Sequence, residues 1–166
     1  CTPKGASFLF VREKLQKNMI PQTVSWGEEG EDPGPSQFLM NFQWQGTRDM
    51  SAFLSIPAAI KFVKNDYWKN RQLVSREIIS EVSQQLQLLF NTSSLSVGAE
   101  WVGQMVSHPL PKNLPPNLKD ILWQDHSIEV PIFEWKNDKF IRVSIHGYNS
   151  RSDIKKLIYV LDKQLL

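Results

Sequence analysis

From Tyr67 to about Phe90, apolar residues return at the spacing of an α-helix, with Leu73, Ile78, Val82, Leu86 and Leu89 marking one stripe. This long amphipathic helix constrains the fold most, because its stripe has to be covered by other elements. The residues that follow supply the cover. Met105, Val106, Ser107, His108, Pro109 and Leu110 read as a strand stopped by prolines. Pro115 and Pro116 open a short helix with Leu118, Ile121 and Leu122 on its apolar side. Residues 128–135 and 139–145 read as two strands joined at Lys136-Asn137-Asp138, a hairpin signal. Ser150 or Ser152 caps a final helix carrying Ile154, Leu157, Ile158 and Leu161. Helix, strand, helix, hairpin and helix in that order predict a compact α+β domain.

The first third of the chain is less regular. Residues 5–12 read as a buried strand around Phe8-Leu9-Phe10-Val11. Residues 21–45 hold Gly27, Gly30, Pro33, Gly34 and Pro35 around the acidic Glu28, Glu29, Glu31 and Asp32, with Trp26, Phe38, Phe42 and Trp44 interspersed. That punctuation predicts a long, irregular, partner-facing loop. Asp49 or Ser51 caps a helix with Ala52, Phe53, Ile56, Ala59, Ile60 and Val63, which Pro57 should kink. One strand, a loop and a kinked helix do not close a core by themselves, so this part is expected to pack on further chain. The opening Cys-Thr-Pro-Lys-Gly, with no initiator methionine, fits a piece of something longer.

Composition narrows the function classes. Of 166 residues, 41% are hydrophobic and 22% charged, the profile of a folding globular chain. Nineteen basic against 17 acidic residues create no general field for nucleic acid. No apolar run approaches the roughly 20 residues of a membrane-spanning helix, so no membrane role is expected. The single cysteine, Cys1, excludes an intramolecular disulfide or a cysteine-based metal centre and favours a reducing, cytoplasmic setting. His108, His126 and His146 lack the close spacing of metal ligands, so no metal is expected. No nucleophile elbow, phosphate loop or dinucleotide fingerprint is present.

Two segments combine groups that could form a site. In Trp44-Gln45-Gly46-Thr47-Arg48-Asp49, a glycine permits close backbone approach, and a hydroxyl and a guanidinium can bind phosphate ahead of a helix. The same residues also suit an ordinary capped helix start. In the strand 140–146, alternation puts Arg142, Ser144 and His146 on one face and Ile141, Val143 and Ile145 on the other. Arg142 is then either a two-pronged carboxylate fork or a surface arginine on a solvated sheet face.

In this order, the pieces resemble the C-terminal part of the class V aminotransferase family of pyridoxal-phosphate enzymes, its isopenicillin N epimerase-like branch above all. Pro3-Lys4-Gly5-Ala6-Ser7-Phe8-Leu9-Phe10-Val11-Arg12 resembles the stretch just after the family's Schiff-base lysine. Val24-Ser25-Trp26-Gly27 and Gly46-Thr47-Arg48-Asp49, with Ser51, Ala52, Pro57, Ala58 and Ala59, resemble the next two signatures. Ile128-Glu129-Val130-Pro131-Ile132 and Ile141-Arg142-Val143-Ser144, then Tyr148-Asn149, resemble the family's ending.

The resemblance implies a fold type I architecture, α/β overall in the complete enzyme. Residues 1–64 would be the tail of the large cofactor-binding domain with an interface loop and connecting helix, and residues 65–166 the small α+β domain. It implies pyridoxal 5'-phosphate as cofactor, an amino-acid substrate, a homodimer and the N-terminal portion of the same enzyme as partner. Thr47, with Gly46, would reach the cofactor phosphate across the dimer interface, and Arg48 would be a phosphate or interface residue. Arg142 would hold the substrate carboxylate, with Trp26, Trp44 and Asn149 as pocket wall. The family's lysine lies upstream of Pro3 and Lys4 does not replace it, so no catalytic residue is expected in this chain, which alone should be inactive. Epimerisation, transamination and carbon-sulfur lysis all remain open. Cys1 does not stand where a desulfurase nucleophile would, which disfavours a persulfide route. The alternative is a non-catalytic binding or scaffold module with the same small-domain fold.

Overall fold

The computed structural model describes residues 1–30, 34, 36–96 and 98–165, the side chains of Ala99 and Leu165 excepted. Glu31, Asp32, Pro33 and Pro35 of the acidic, proline-rich stretch lie outside the described residues. The chain divides into two compact units, Cys1–Val63 and Lys64–Leu166.

The first unit holds α1 (Glu13–Gln16), α2 (Gln37–Gln43), α3 (Ser51–Leu54) and α4 (Ile56–Val63), none with a buried residue. The strand expected over residues 5–12 does not form: Phe8 is 93% and Phe10 78% exposed, and among the described residues of the unit no strand lies alongside to complete a ladder. β propensity without a pairing partner leaves the backbone groups to water. The segment expected to be all loop contains α2. Ser36 accepts from the Leu39 amide at 3.1 Å, and the rings of Phe38 and Phe42, one turn apart, sit 4.7 Å from each other. The helix expected to kink at Pro57 is two helices, interrupted at Ser55, two residues before Pro57, which has no amide hydrogen to donate. Asp49 accepts from the Ser51 amide at 2.8 Å and its hydroxyl at 2.6 Å, so the aspartate fixes the turn into α3.

The second unit is built on α5 (Asp66–Phe90), whose Asn65 cap accepts from the Tyr67 amide at 2.9 Å and whose end is left-handed at Asn91, φ 50°. Its buried stripe is Ser75, Ile78, Ile79, Val82, Leu86 and Phe90. Leu73, expected on that stripe, is 57% exposed, because at about 100° per residue it lies half a turn round the helix from Val82. After a 3₁₀ turn at Ala99–Trp101 come β1 (Met105–Pro109), α6 (Leu118–Gln124), β2 (Ile132–Trp135), β3 (Asp138–Ser144) and α7 (Arg151–Leu165). Pro115 and Pro116 precede α6 rather than opening it, and the Pro115 carbonyl accepts from the Leu118 amide.

The strands form one antiparallel sheet in the order β1-β3-β2, with Val106 opposite Val143, His108 opposite Ile141 and Phe133 opposite Phe140. β2 is shorter than the expected 128–135, since Ile128 closes onto the Leu122 carbonyl behind α6. The two residues between β2 and β3, Lys136 and Asn137, both take positive φ (48° and 68°), the hand of a tight hairpin turn that matches strand twist. Val106, Ile141, Val143 and Ile145 face Ile79, Val82, Leu86, Leu118, Leu122, Leu157 and Leu161 in one core. Each of these side chains stabilises the fold by about 1.5–3 kcal/mol relative to exposure.

Candidate functional site

The loop between α2 and α3 carries Gly46, Thr47 and Arg48, all exposed. Gly46 has φ 94°, a conformation open to glycine, with nothing within 4 Å of where a Cβ would stand. The requirement for glycine there is conformational and leaves the backbone approachable. Arg48 is engaged locally: its guanidinium donates to Gln45 Oε1 at 2.9 Å and the Gln43 carbonyl at 3.4 Å, and lies 4.9 Å from the Phe53 ring centroid. Arg48 therefore closes its own loop. The two hydrogen bonds to Ser51 hold the Asp49 carboxyl below its ordinary range, so the loop also carries a fixed negative charge. Trp26 lies in a turn closed by the Glu28 amide on the Ser25 carbonyl and is 81% exposed.

Arg142 sits in the middle of β3, the central strand. Its amide donates to the Pro131 carbonyl at 3.0 Å, and Ser107 is its partner on β1. Ile141, Val143 and Ile145 are buried while Arg142, Ser144 and His146 are exposed, which is the alternation read from the sequence. The guanidinium makes no hydrogen bond or ion pair among the described residues. Same-face spacing adds a residue that the reading of a polar row left out. Phe140, two positions before Arg142, is 4% exposed yet stands outside the main core, beneath the rings of Phe133 at 5.7 Å and Trp135 at 6.0 Å. The cross-strand pairing of Phe133 with Phe140 is the signal that would have found it.

The loop after β3 is held tightly. Asn149 Oδ1 accepts from the His146 amide at 3.0 Å, so that oxygen shapes the turn. Arg71 of α5 donates through Nε to the Gly147 carbonyl at 3.0 Å and through Nη2 to the same oxygen at 2.5 Å, with a longer bond to the Asn149 carbonyl at 3.5 Å. A Cβ on Gly147 would stand 2.7 Å from the Trp68 ring, and His146 lies between the rings of Trp68 and Tyr148 at 5.0 and 4.9 Å. Arg71 and Trp68 thus fix the backbone just beyond the strand that bears Arg142, a supporting role that single-chain spacing could not reveal.

Thr47 with Gly46 and Arg142 with Asn149 fall in different units. As a phosphate ledge, the first pair offers an exposed hydroxyl beside an approachable backbone, which suits one edge of such a site rather than the whole of it.

No family model matches the chain. It is 28% identical over 171 residues to isopenicillin N epimerase of Amycolatopsis lactamdurans, covering 96% of this chain and 43% of that protein. It is 25% identical over 178 residues to isopenicillin N epimerase of Streptomyces clavuligerus, with the same two coverages, 96% and 43%. The chain therefore spans under half the length of these curated relatives. Among solved structures, an apo cysteine desulfurase from Thermococcus onnurineus NA1 matches with TM-score 0.68 at 19% identity, over 94% of this chain and 42% of that one. An 8-amino-7-oxononanoate synthase from Francisella tularensis matches with TM-score 0.50 at 17% identity, over 80% and 34%. These structural likenesses establish the fold as that of part of a fold type I pyridoxal-phosphate enzyme, here α+β.

Proposed function

The similarities support a class V aminotransferase-like family of pyridoxal-phosphate enzymes for this partial chain, and on that premise we propose that it is the C-terminal portion of an enzyme acting on an amino acid. The observation that carries the reading is the guanidinium of Arg142, without a partner among the described residues and held on the central strand of the sheet, in a chain that resembles an epimerase along nearly its whole length. Arg142 makes two parallel charge-assisted bonds to the substrate α-carboxylate and so orients the α-carbon. Thr47 donates its hydroxyl to a phosphate oxygen of the cofactor, and Gly46 lets the backbone come close enough for that bond. The cofactor, when bound, supplies an electron sink for bonds at the α-carbon. Trp26 and Asn149 contribute to the surroundings of the substrate, Asn149 through the turn it closes. The working form is a homodimer in the cytoplasm, completed by the N-terminal portion of the same enzyme, with Thr47 serving the neighbouring subunit.

The test uses the complete protein. Arg142→Ala is expected to weaken amino-acid binding roughly 10- to 150-fold, the range of a hydrogen-bonded charge pair, with partial recovery in Arg142→Lys. Thr47→Ala is expected to weaken cofactor binding, followed by its visible absorbance on dialysis, by roughly tenfold. Unchanged amino-acid and cofactor affinities in the two alanine variants would overturn both assignments.

A further inference from the structure

Resting on the reading of Arg142 as the carboxylate holder, we propose that the substrate side chain is aromatic or large and apolar and is seated against Phe133. Phe133 pairs across the ladder with Phe140, and Arg142 follows Phe140 by two residues, so all three share the outer face of the sheet. Neighbours on one face are about 7 Å apart along a strand, a separation that a side chain spans from its own α-carboxylate. The helices of the unit pack against the other face, through the core that holds Val106, Ile141 and Val143. Phe140 is already covered, while Phe133 keeps 37% of its surface exposed. Trp135, further out, has the Lys136 ammonium 4.5 Å from its ring centroid, which leaves Phe133 as the open ring nearest the guanidinium.

The chemistry of this face selects among amino acids. A flat apolar group gains offset stacking and removes the remaining Phe133 surface from water. A methyl group is too small to reach it. A distal carboxylate would be desolvated against the Phe133 ring.

Equilibrium dialysis of the complete protein against phenylalanine, tryptophan, alanine and aspartate tests the proposal. Phenylalanine and tryptophan are expected to bind at least roughly tenfold more tightly than alanine or aspartate. Phe133→Ala is expected to remove most of that preference while leaving the alanine affinity nearly unchanged, at a lower melting temperature because Phe140 is uncovered, with Phe133→Leu between the two. Equal binding of alanine or aspartate and phenylalanine overturns the proposal, and so does a Phe133→Ala variant that weakens all four ligands in proportion. If Arg142→Ala binds every amino acid as before, the carboxylate reading fails, independently of the Phe133 result.

Discussion

His108 is the residue at which the environment most changes a side chain's chemistry. It is fully buried between α5 and the sheet, its Nε2 lies 3.1 Å from the Ser83 hydroxyl, and its Nδ1 has no partner among the described residues. Burial holds its pKa below the ordinary 6.5, so the neutral ring is the folded form. As pH falls, the unfolded chain takes up the proton first, and the folded state does so only below its lowered pKa. The stabilisation is therefore whole above about pH 6.5 and drains away below it, by up to about 1.4 kcal/mol per pH unit for one group. Melting temperatures measured between pH 8 and pH 5 should fall on the acid side, and His108→Leu should flatten that slope. An equally steep slope in His108→Leu would assign the effect to other groups. The sequence placed His108 in a strand; its burial against a serine of a distant helix was not legible there.

At the scale of elements, a pattern was legible wherever it was local and could be satisfied locally. The α5 periodicity, the β3 alternation and the Lys136-Asn137 turn all depend on residues within a few positions of one another. Phe8 to Val11 carried an equally strong strand pattern and failed, because a ladder needs a neighbour that spacing cannot supply. α2 was hidden for the opposite reason. Glycines and prolines on its N-terminal side outweighed a serine cap and a Phe38–Phe42 pair. The candidate site divides in the same way. The exposure of Arg142 followed from alternation, whereas the local engagement of Arg48 and the turn-closing bond of Asn149 depend on loop geometry. The hairpin gives a direct check on this scale. Asn137 occupies φ 68° at the second turn position, where glycine is free of Cβ strain, so Asn137→Gly should stabilise the second unit by a few tenths to about 1 kcal/mol. Thermal denaturation of the variant reads this out, and a lower melting temperature would refute the turn assignment.

Across the whole molecule, apolar burial is unevenly shared. Among the described residues, every buried hydrophobic side chain apart from Pro21 lies between Ile78 and Leu161, all in the second unit, while Phe8, Phe10, Ile20, Trp26 and Leu54 of the first are each more than three-quarters exposed. Folding needs burial to offset chain entropy, so the two units should behave differently when separated. Residues 64–166 expressed alone should melt cooperatively, and residues 1–63 alone should show no cooperative transition by circular dichroism. A cooperative melt for residues 1–63 would mean that this segment closes a core of its own. The chain spans under half the length of its curated relatives.

The central position of β3 reaches further than packing. A strand hydrogen-bonded on both sides gives up its amides to solvent only when the sheet comes apart, whereas loop amides trade hydrogens with water through small local openings. The amide under Arg142 is locked in the sheet, and the backbone of Gly46 and Thr47 lies open. The two contacts proposed for this chain would thus run on different clocks. A carboxylate anchor at Arg142 would stand on backbone as persistent as the sheet, and a phosphate contact at Thr47 would stand on backbone that opens many times within the life of the fold.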